Sequence, residues 1–185
     1  MTDAYRYALV QRLLHWIIAL LVVVLLGVGM TLGFLGFDGV KNTFGPEVTN
    51  ALYTYHKSFG IVVFALVLLR LGLRLMLPSP PYRSPLSTFE RVAGHAVHGL
   101  IYVALLTMPI LGWFATAAGG YPVQFFAWNL PGLIDKDKVL GETLFWLHGM
   151  VGWVLLGLIV LHLAGALWHW LVRRDGVMAR MSLFG

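Results

Sequence analysis

Apolar residues fill four long stretches of the chain, and polar residues gather in the pieces between them. Read as helices, the stretches cover about 10–36, 53–77, 90–118 and 142–172. Each meets or exceeds the roughly 20 residues an α-helix needs to cross a bilayer. The second is the least uniform, because Arg70 and Arg74 lie in its final turns. Long arginine side chains near a helix end reach the headgroups, so the span is kept. The pattern predicts an all-α membrane protein, a four-transmembrane-helix up-and-down bundle forming one domain over residues 1–185. The segments "FDGVKNTFGPEVTN" and "GGYPVQFFAWNLPGLIDKDKVLGE" carry Gly, Pro and Asn and are expected as loops. Phe125, Phe126 and Trp128 read as interfacial aromatics on a segment lying along the membrane surface. Pro109 is expected to kink the third helix. The first stretch is too long for a signal-peptide core and no small-residue cleavage site follows it, so it is read as a span.

Composition agrees: with 59% hydrophobic and 11% charged residues, a soluble domain is excluded. The formal charge of +5 is unevenly placed. Arg6, Arg12, Arg70, Arg74, Arg83, Arg91, Arg173, Arg174 and Arg180 fall on one side of the expected bundle, and Lys41, Lys57, Lys136 and Lys138 on the other. The positive-inside rule then puts both termini and the "PSPPYRSP" loop in the cytoplasm. Topology accounts for these arginines without nucleic acid as a partner. The chain has no cysteine, which excludes disulfides, thiolate metal sites, iron–sulfur clusters and covalently attached haem. Any haem here is held non-covalently.

All seven histidines, His15, His56, His95, His98, His148, His162 and His169, lie within or at the ends of the spans. Ionisable groups inside a membrane are rare and tend to be functional. His148 and His162 are fourteen residues apart. That spacing is four helical turns less about 40°, with a rise of about 21 Å, so both project from nearly one face at two depths. With alternating spans, His56 lies level with His148 near the outer side, and His15 with His162 near the inner side. His169, seven residues after His162, matches the depth of His15 equally well, and spacing does not decide between them. Imidazoles facing each other across a bundle suit the axial positions of a haem iron. Filling both positions favours electron transfer over oxygen binding. Zinc usually needs four ligands, often thiolate or carboxylate, and these are missing at the histidine depths. A metal transporter using the histidines as a relay would also want a polar path that the sequence lacks. Gly60, Gly149, Gly152 and Gly157 leave room beside the helices, and Phe59, Trp16, Trp146 and Trp153 offer flat apolar walls. Arg12, Lys57 or Arg70 could pair with haem propionates, although topology and snorkelling account for each more simply.

With "RLLHW", "YHKSFGIVVFALVLLRLGLR", "PSPPY", "GHAVHGLIYVALLTMPILGW" and "LHGMVGWVLLGLIVLHLAGALWHW", the sequence resembles the bacterial cytochrome b561 family along nearly its whole length. It also looks related to the cytochrome b subunits of membrane formate dehydrogenases and nickel–iron hydrogenases. The resemblance implies a quinone-reactive cytochrome of the bacterial inner membrane with two haem b groups. It favours His56 with His148 and His15 with His162 as axial ligands over His169. Members of the stand-alone branch are linked with oxidising superoxide at the outer side and reducing ubiquinone. Lys57, Lys136 and Lys138 could steer such an anion. Asp38, Glu47, Asp135, Asp137 and Glu142 nevertheless leave that face slightly acidic. For a quinone site, His169 is the candidate beside the inner haem. His95 and His98 come in from the third helix, and Arg83 and Arg91 lie nearby in the loop. His98 is deep enough to compete as a ligand. The alternative reading is a membrane-anchor subunit relaying electrons for a larger dehydrogenase or hydrogenase, with a redox partner subunit.

Overall fold

A computed structural model describes residues 4–184, and most of them are helical. Helix α1 runs Leu9–Met76, α2 Thr88–Ala118 and α3 Lys138–Leu167. A π-helical turn, Trp168–Arg173, extends α3, and a 3-10 turn follows at Met178–Met181. Three helices, the last counted through Arg173, are long and apolar enough to cross a membrane. The chain is a multi-pass membrane protein.

The 68 residues of α1 would extend about 100 Å if straight. Instead its two ends touch. Arg70 Nη1 donates to the Gln11 carbonyl at 2.8 Å, and Gln11 Nε2 donates to the Leu73 carbonyl at 3.5 Å. The chain reverses at Gly36 (φ 64°, ψ 176°) and Gly45 (φ 81°, ψ 166°), a backbone region essentially restricted to glycine. Pro46 restarts the helix directly after the second break, where its missing N–H costs nothing. The segment expected as an outer loop is therefore largely helical, and α1 consists of two antiparallel limbs joined by one short helical piece. Glycine and proline punctuate the chain here without unwinding it, because each break is a single residue.

The core draws on both limbs and on both other helices. Leu14, Ile18 and Val22 recur at four-residue steps on the first limb, and they meet Val63 and Val67, Ala104 and Leu105, and Leu155. Many other large apolar side chains, such as Leu20, Leu75, Phe89, Val103 and Trp153, point outward. In lipid that exposure carries no hydrophobic penalty. Helix α2 runs unbroken through Pro109. It starts at Ser87, whose hydroxyl accepts from the Glu90 N–H at 3.2 Å while the Glu90 carboxylate accepts from the Ser87 N–H at 2.9 Å.

At one end of the bundle the chain termini and the 77–87 connection meet. Tyr7 N–H donates to the Arg180 carbonyl at 3.1 Å, Arg12 to the Ser182 carbonyl at 2.7 Å, and Trp16 Nε1 to the Met181 carbonyl at 2.8 Å. Arg180 is buried, stacks on Tyr82 with its guanidinium carbon 3.9 Å from the ring centre, and donates to the Pro80 carbonyl. At the opposite end, β1 (Val123–Phe125) pairs antiparallel with β2 (Trp128–Leu130). Phe125, Phe126 and Trp128 thus belong to a hairpin, with Phe126 and Trp128 exposed. Ser58 Oγ holds it by accepting from the Phe126 N–H at 2.7 Å.

Replacing Gly45 by Ala is expected to cost about 1–3 kcal/mol, the strain of a side chain in this backbone region. Thermal unfolding in detergent should register a lower midpoint. Gly33→Ala, on an exposed helical position with nothing within 4 Å of the added methyl, should leave the midpoint unchanged or raise it slightly. Equal midpoints for the two variants would show that the breaks in α1 are not needed.

Candidate functional site

The outer layer is built from His56 on the second limb of α1 and His148 on α3, with ring centres 6.2 Å apart and planes at 75°. Each ring lies against a glycine. A Cβ on Gly29 would sit 2.9 Å from His56 Cε1, and one on Gly112 would sit 3.2 Å from His148 Cε1. The bare backbone at Gly112 lets the His148 ring reach the Met108 carbonyl one turn earlier, to which Nδ1–H donates at 3.0 Å. That bond fixes the tautomer and leaves Nε2 as the free donor to a metal. His56 Nδ1 is buried with no partner. Between the two histidines lies an apolar cavity of about 70 Å³, open in part to the exterior. Val22, Leu26, Val63, Leu105, Met108 and Leu155 are among its walls.

The inner layer holds three histidines. His15 and His162 have ring centres 6.2 Å apart with planes at 81°. His98, exposed at its edge, packs against His162 at 5.1 Å. Arg70, fixed by the Gln11 carbonyl, lies within electrostatic reach of all three. Beside it a smaller cavity is lined by Tyr7, Gln11, Arg70, Arg74, Tyr102 and Met181.

One spacing generates both layers. Stepping fourteen residues along each of the four helical segments pairs His15 with Gly29, His56 with Arg70, His98 with Gly112, and His162 with His148. The outer layer is therefore two histidines backed by two glycines, and the inner layer is three histidines and an arginine. Gly29 and Gly112 are absent from the sequence reading, although the fourteen-residue step from His15 and His98 points to them. The glycines and aromatics it singled out mostly lie elsewhere. Gly149, Gly157, Trp146 and Trp153 are exposed, and Gly152 faces Met108. Trp16 bonds the Met181 carbonyl, and Phe59 stacks on Phe126. Of that group only Gly60 lines the outer cavity, whose other walls are mainly aliphatic.

The remaining candidates are distributed around these layers. His169 sits in the π-helical turn, and its Nδ1–H donates to Asp175 at 2.7 Å. Arg173 links the same carboxylate at 3.7 Å to Glu90 at 3.4 Å. Desolvation pushes the Asp175 carboxyl up, but the His169 and Val177 hydrogen bonds and the Arg173 charge outweigh it and hold it below its usual value. His95 is spent on the Arg91 carbonyl of its own helix at 2.6 Å. Arg83 lies over the Tyr5 ring and against Gly176. On the outer side, Lys57 Nζ donates to the Pro122 carbonyl at 3.0 Å and to Gln124, tying the hairpin down. Lys136 packs its stem over Gly120. Lys138 pairs loosely with Glu142 at 3.9 Å, both fully in solvent.

Opposed imidazole pairs inside an apolar helical membrane protein are the arrangement that an electron-transfer cytochrome of the b type requires. Comparison with known proteins gives the family: a sequence profile of the prokaryotic cytochrome b561 family matches residues 6–182, and the chain belongs to that family. It is similar to cytochrome b561 homolog 2 of Escherichia coli K12, at 27% identity over 95% of this chain and 90% of the relative. It is also similar to a probable superoxide oxidase CybB of Yersinia pestis, at 26% over 95% of each chain. Cytochrome b562 of Cereibacter sphaeroides matches at 29% over 98% of each.

The residues present fit a b-type haem. An iron bound at roughly the 2 Å of an imidazole–metal bond sets two axial ring centres about 6 Å apart. The orphaned His56 nitrogen, the oriented His148 and the two glycine cradles suit a flat apolar ligand. Among the described residues, no three His, Asp or Glu side chains converge on a point that would hold a bare metal ion. Gly29→Ala is expected to displace the His56 ring and reduce haem content, measured as pyridine haemochrome per chain. Gly157→Ala, whose added methyl meets nothing within 4 Å, should retain full content. Full haem in the Gly29 variant would show that the close approach is not needed.

Proposed function

We propose that the protein is a diheme cytochrome of the bacterial inner membrane that takes electrons at the outer face and reduces ubiquinone near the inner face, with superoxide as the outer donor. Residues 1–185 form one unit that crosses the membrane four times as an up-and-down bundle, the two limbs of α1 counting separately. Both termini and the 77–87 connection lie in the cytoplasm, in keeping with the nine arginines at that end. The observation that carries the reading is the repetition of one geometry at two depths: two opposed histidine pairs with the same 6.2 Å ring separation, fourteen residues apart on α3.

His56 and His148 would hold the outer haem, and His15 and His162 the inner one. When bound, the two haems supply reversible one-electron carriage. The protein's part would be to offer an imidazole on each side of the iron, leaving no site for oxygen, and to hold the group in an aliphatic cavity. The His148–Met108 hydrogen bond keeps the ligating nitrogen deprotonated and aimed. Lys57 is the cation nearest the outer layer. It is held by neutral carbonyl oxygens instead of a carboxylate, so its charge is available to attract a small anion. Lys136 and Lys138 are secondary, since Lys138 is compensated by Glu142. On the inner side, His169 is held by Asp175 with Nε2 left to meet a quinone oxygen, and His98 flanks the inner pair. His95 and Arg83 mark the rim of that region. In balance, two superoxide anions each lose one electron to become dioxygen. The two electrons and two protons from the cytoplasmic side convert ubiquinone to ubiquinol. The relative named as a superoxide oxidase supports this donor.

Purified protein should show two b haems per chain by pyridine haemochrome, and His148→Ala should retain one. Loss of neither haem would overturn the pairing. His169→Ala should keep both haems yet slow ubiquinone reduction about a hundredfold or more, the scale of losing a proton-transfer group. A missing haem in that variant would make His169 the ligand. Stopped-flow mixing with superoxide should reduce the haem faster than the anion disproportionates. If it does not, and a second subunit co-purifies, the protein is an electron-relay anchor for a larger dehydrogenase.

A further inference from the structure

We infer that Arg70 makes the inner haem site the higher-potential one, so that an electron arriving at the outer layer runs downhill to the inner layer. This inference rests on the diheme reading above. Arg70 occupies the inner-layer position of the same limb that carries His56 in the outer layer, fourteen residues on. Its guanidinium is pinned by the Gln11 carbonyl at 2.8 Å and lines the cavity between the inner histidines and the inner end of the bundle. Arginine cannot shed its charge, so the inner layer carries a permanent cation. Arg74, one turn further along and exposed, adds a second and better solvated one.

The outer layer has no counterpart. The residues lining its cavity are aliphatic apart from the two histidines, a methionine, a glycine and a proline. The corresponding positions on the first limb and α2 are Gly29 and Gly112. Lys57 is next to His56 in sequence, but its ammonium is drawn to the hairpin at Pro122 and Gln124, away from the cavity lining. On the inner side the nearest carboxylates, Asp175 and Glu90, are engaged by Arg173 and do not pair with Arg70. An iron held by two neutral imidazoles carries one more positive charge oxidised than reduced. A fixed cation beside it therefore favours the reduced state, and in a poorly solvated bundle that bias is weakly screened. The two layers have the same ring spacing and differ in charge.

The test is an optical potentiometric titration, with haem stoichiometry, on the purified wild type and on Arg70→Gln, Arg70→Lys and Arg74→Gln. The component lost in His148→Ala identifies the outer haem. Arg70→Gln is expected to keep two haems and lower the inner component alone. The electron's partition between the sites should move about tenfold toward the outer one, which for a one-electron couple is about 59 mV. Arg70→Lys should restore most of that shift, and Arg74→Gln should produce a smaller one in the same component. Two haems with both potentials unchanged in Arg70→Gln, or both lowered equally, overturn the inference and leave the diheme reading standing. If Arg70→Gln loses its inner haem, an unshifted inner component in Arg74→Gln overturns it. A wild type with a single haem removes the diheme reading and this inference together.

Discussion

An imidazole without a partner inside an apolar bundle is costly, and the organisation of this protein follows from that cost. The outer histidines are walled by aliphatic side chains. His148 satisfies one nitrogen on the Met108 carbonyl, while His56 Nδ1 is buried with nothing to bond. The glycines at 29 and 112 are the steric half of the same arrangement, because a methyl group at either would occupy the space that the rings need. Lipid gives the helices little reason to associate through hydrophobicity alone. A haem held from two helices, as proposed above, would add a cross-link to the aliphatic contacts between Leu14, Val63, Leu105 and Leu155.

The two ends of the bundle are built on different principles. The outer end is closed by a small hairpin, held at its backbone by Ser58 and Lys57 and at the Gln124 side chain by Thr54 and Lys57. The inner end is closed by arginines. Arg6, Arg12 and Arg180 donate to main-chain carbonyls of other segments, and Arg180 also stacks on Tyr82. Arginines whose placement the positive-inside rule explains thus hold the tail, the N-terminal residues and the Pro80 connection together. Topology and tertiary fixation are two uses of the same charges.

Much of this architecture is legible in the sequence. The apolar stretches mark the helices, and the fourteen-residue step between His148 and His162 places two histidine levels. Other features are not legible. Helix continuity through 37–44 depends on single-residue breaks at Gly36 and Gly45, which look like loop punctuation until their dihedrals are known. The hairpin at 123–130 is held where Ser58 meets Phe126 and Thr54 meets Gln124 across the fold, contacts no local pattern carries. Trp16, next to His15 in sequence, lies about 100° around the helix from it and bonds the Met181 carbonyl, and Trp146, two residues before His148, lies about 200° around and is exposed. The same arithmetic that places the histidines, applied to His15, His56 and His98, would have found Gly29, Arg70 and Gly112.

The strap formed by residues 174–184 has a consequence for biogenesis. Its contacts reach back to Tyr7, Arg12 and Trp16, across more than 160 residues of chain. Those residues leave the ribosome well before the strap does. During synthesis the inner ends of the helices are therefore unfastened for as long as translation lasts. Any bulky prosthetic group entering from that end of the bundle has that interval before the latch engages.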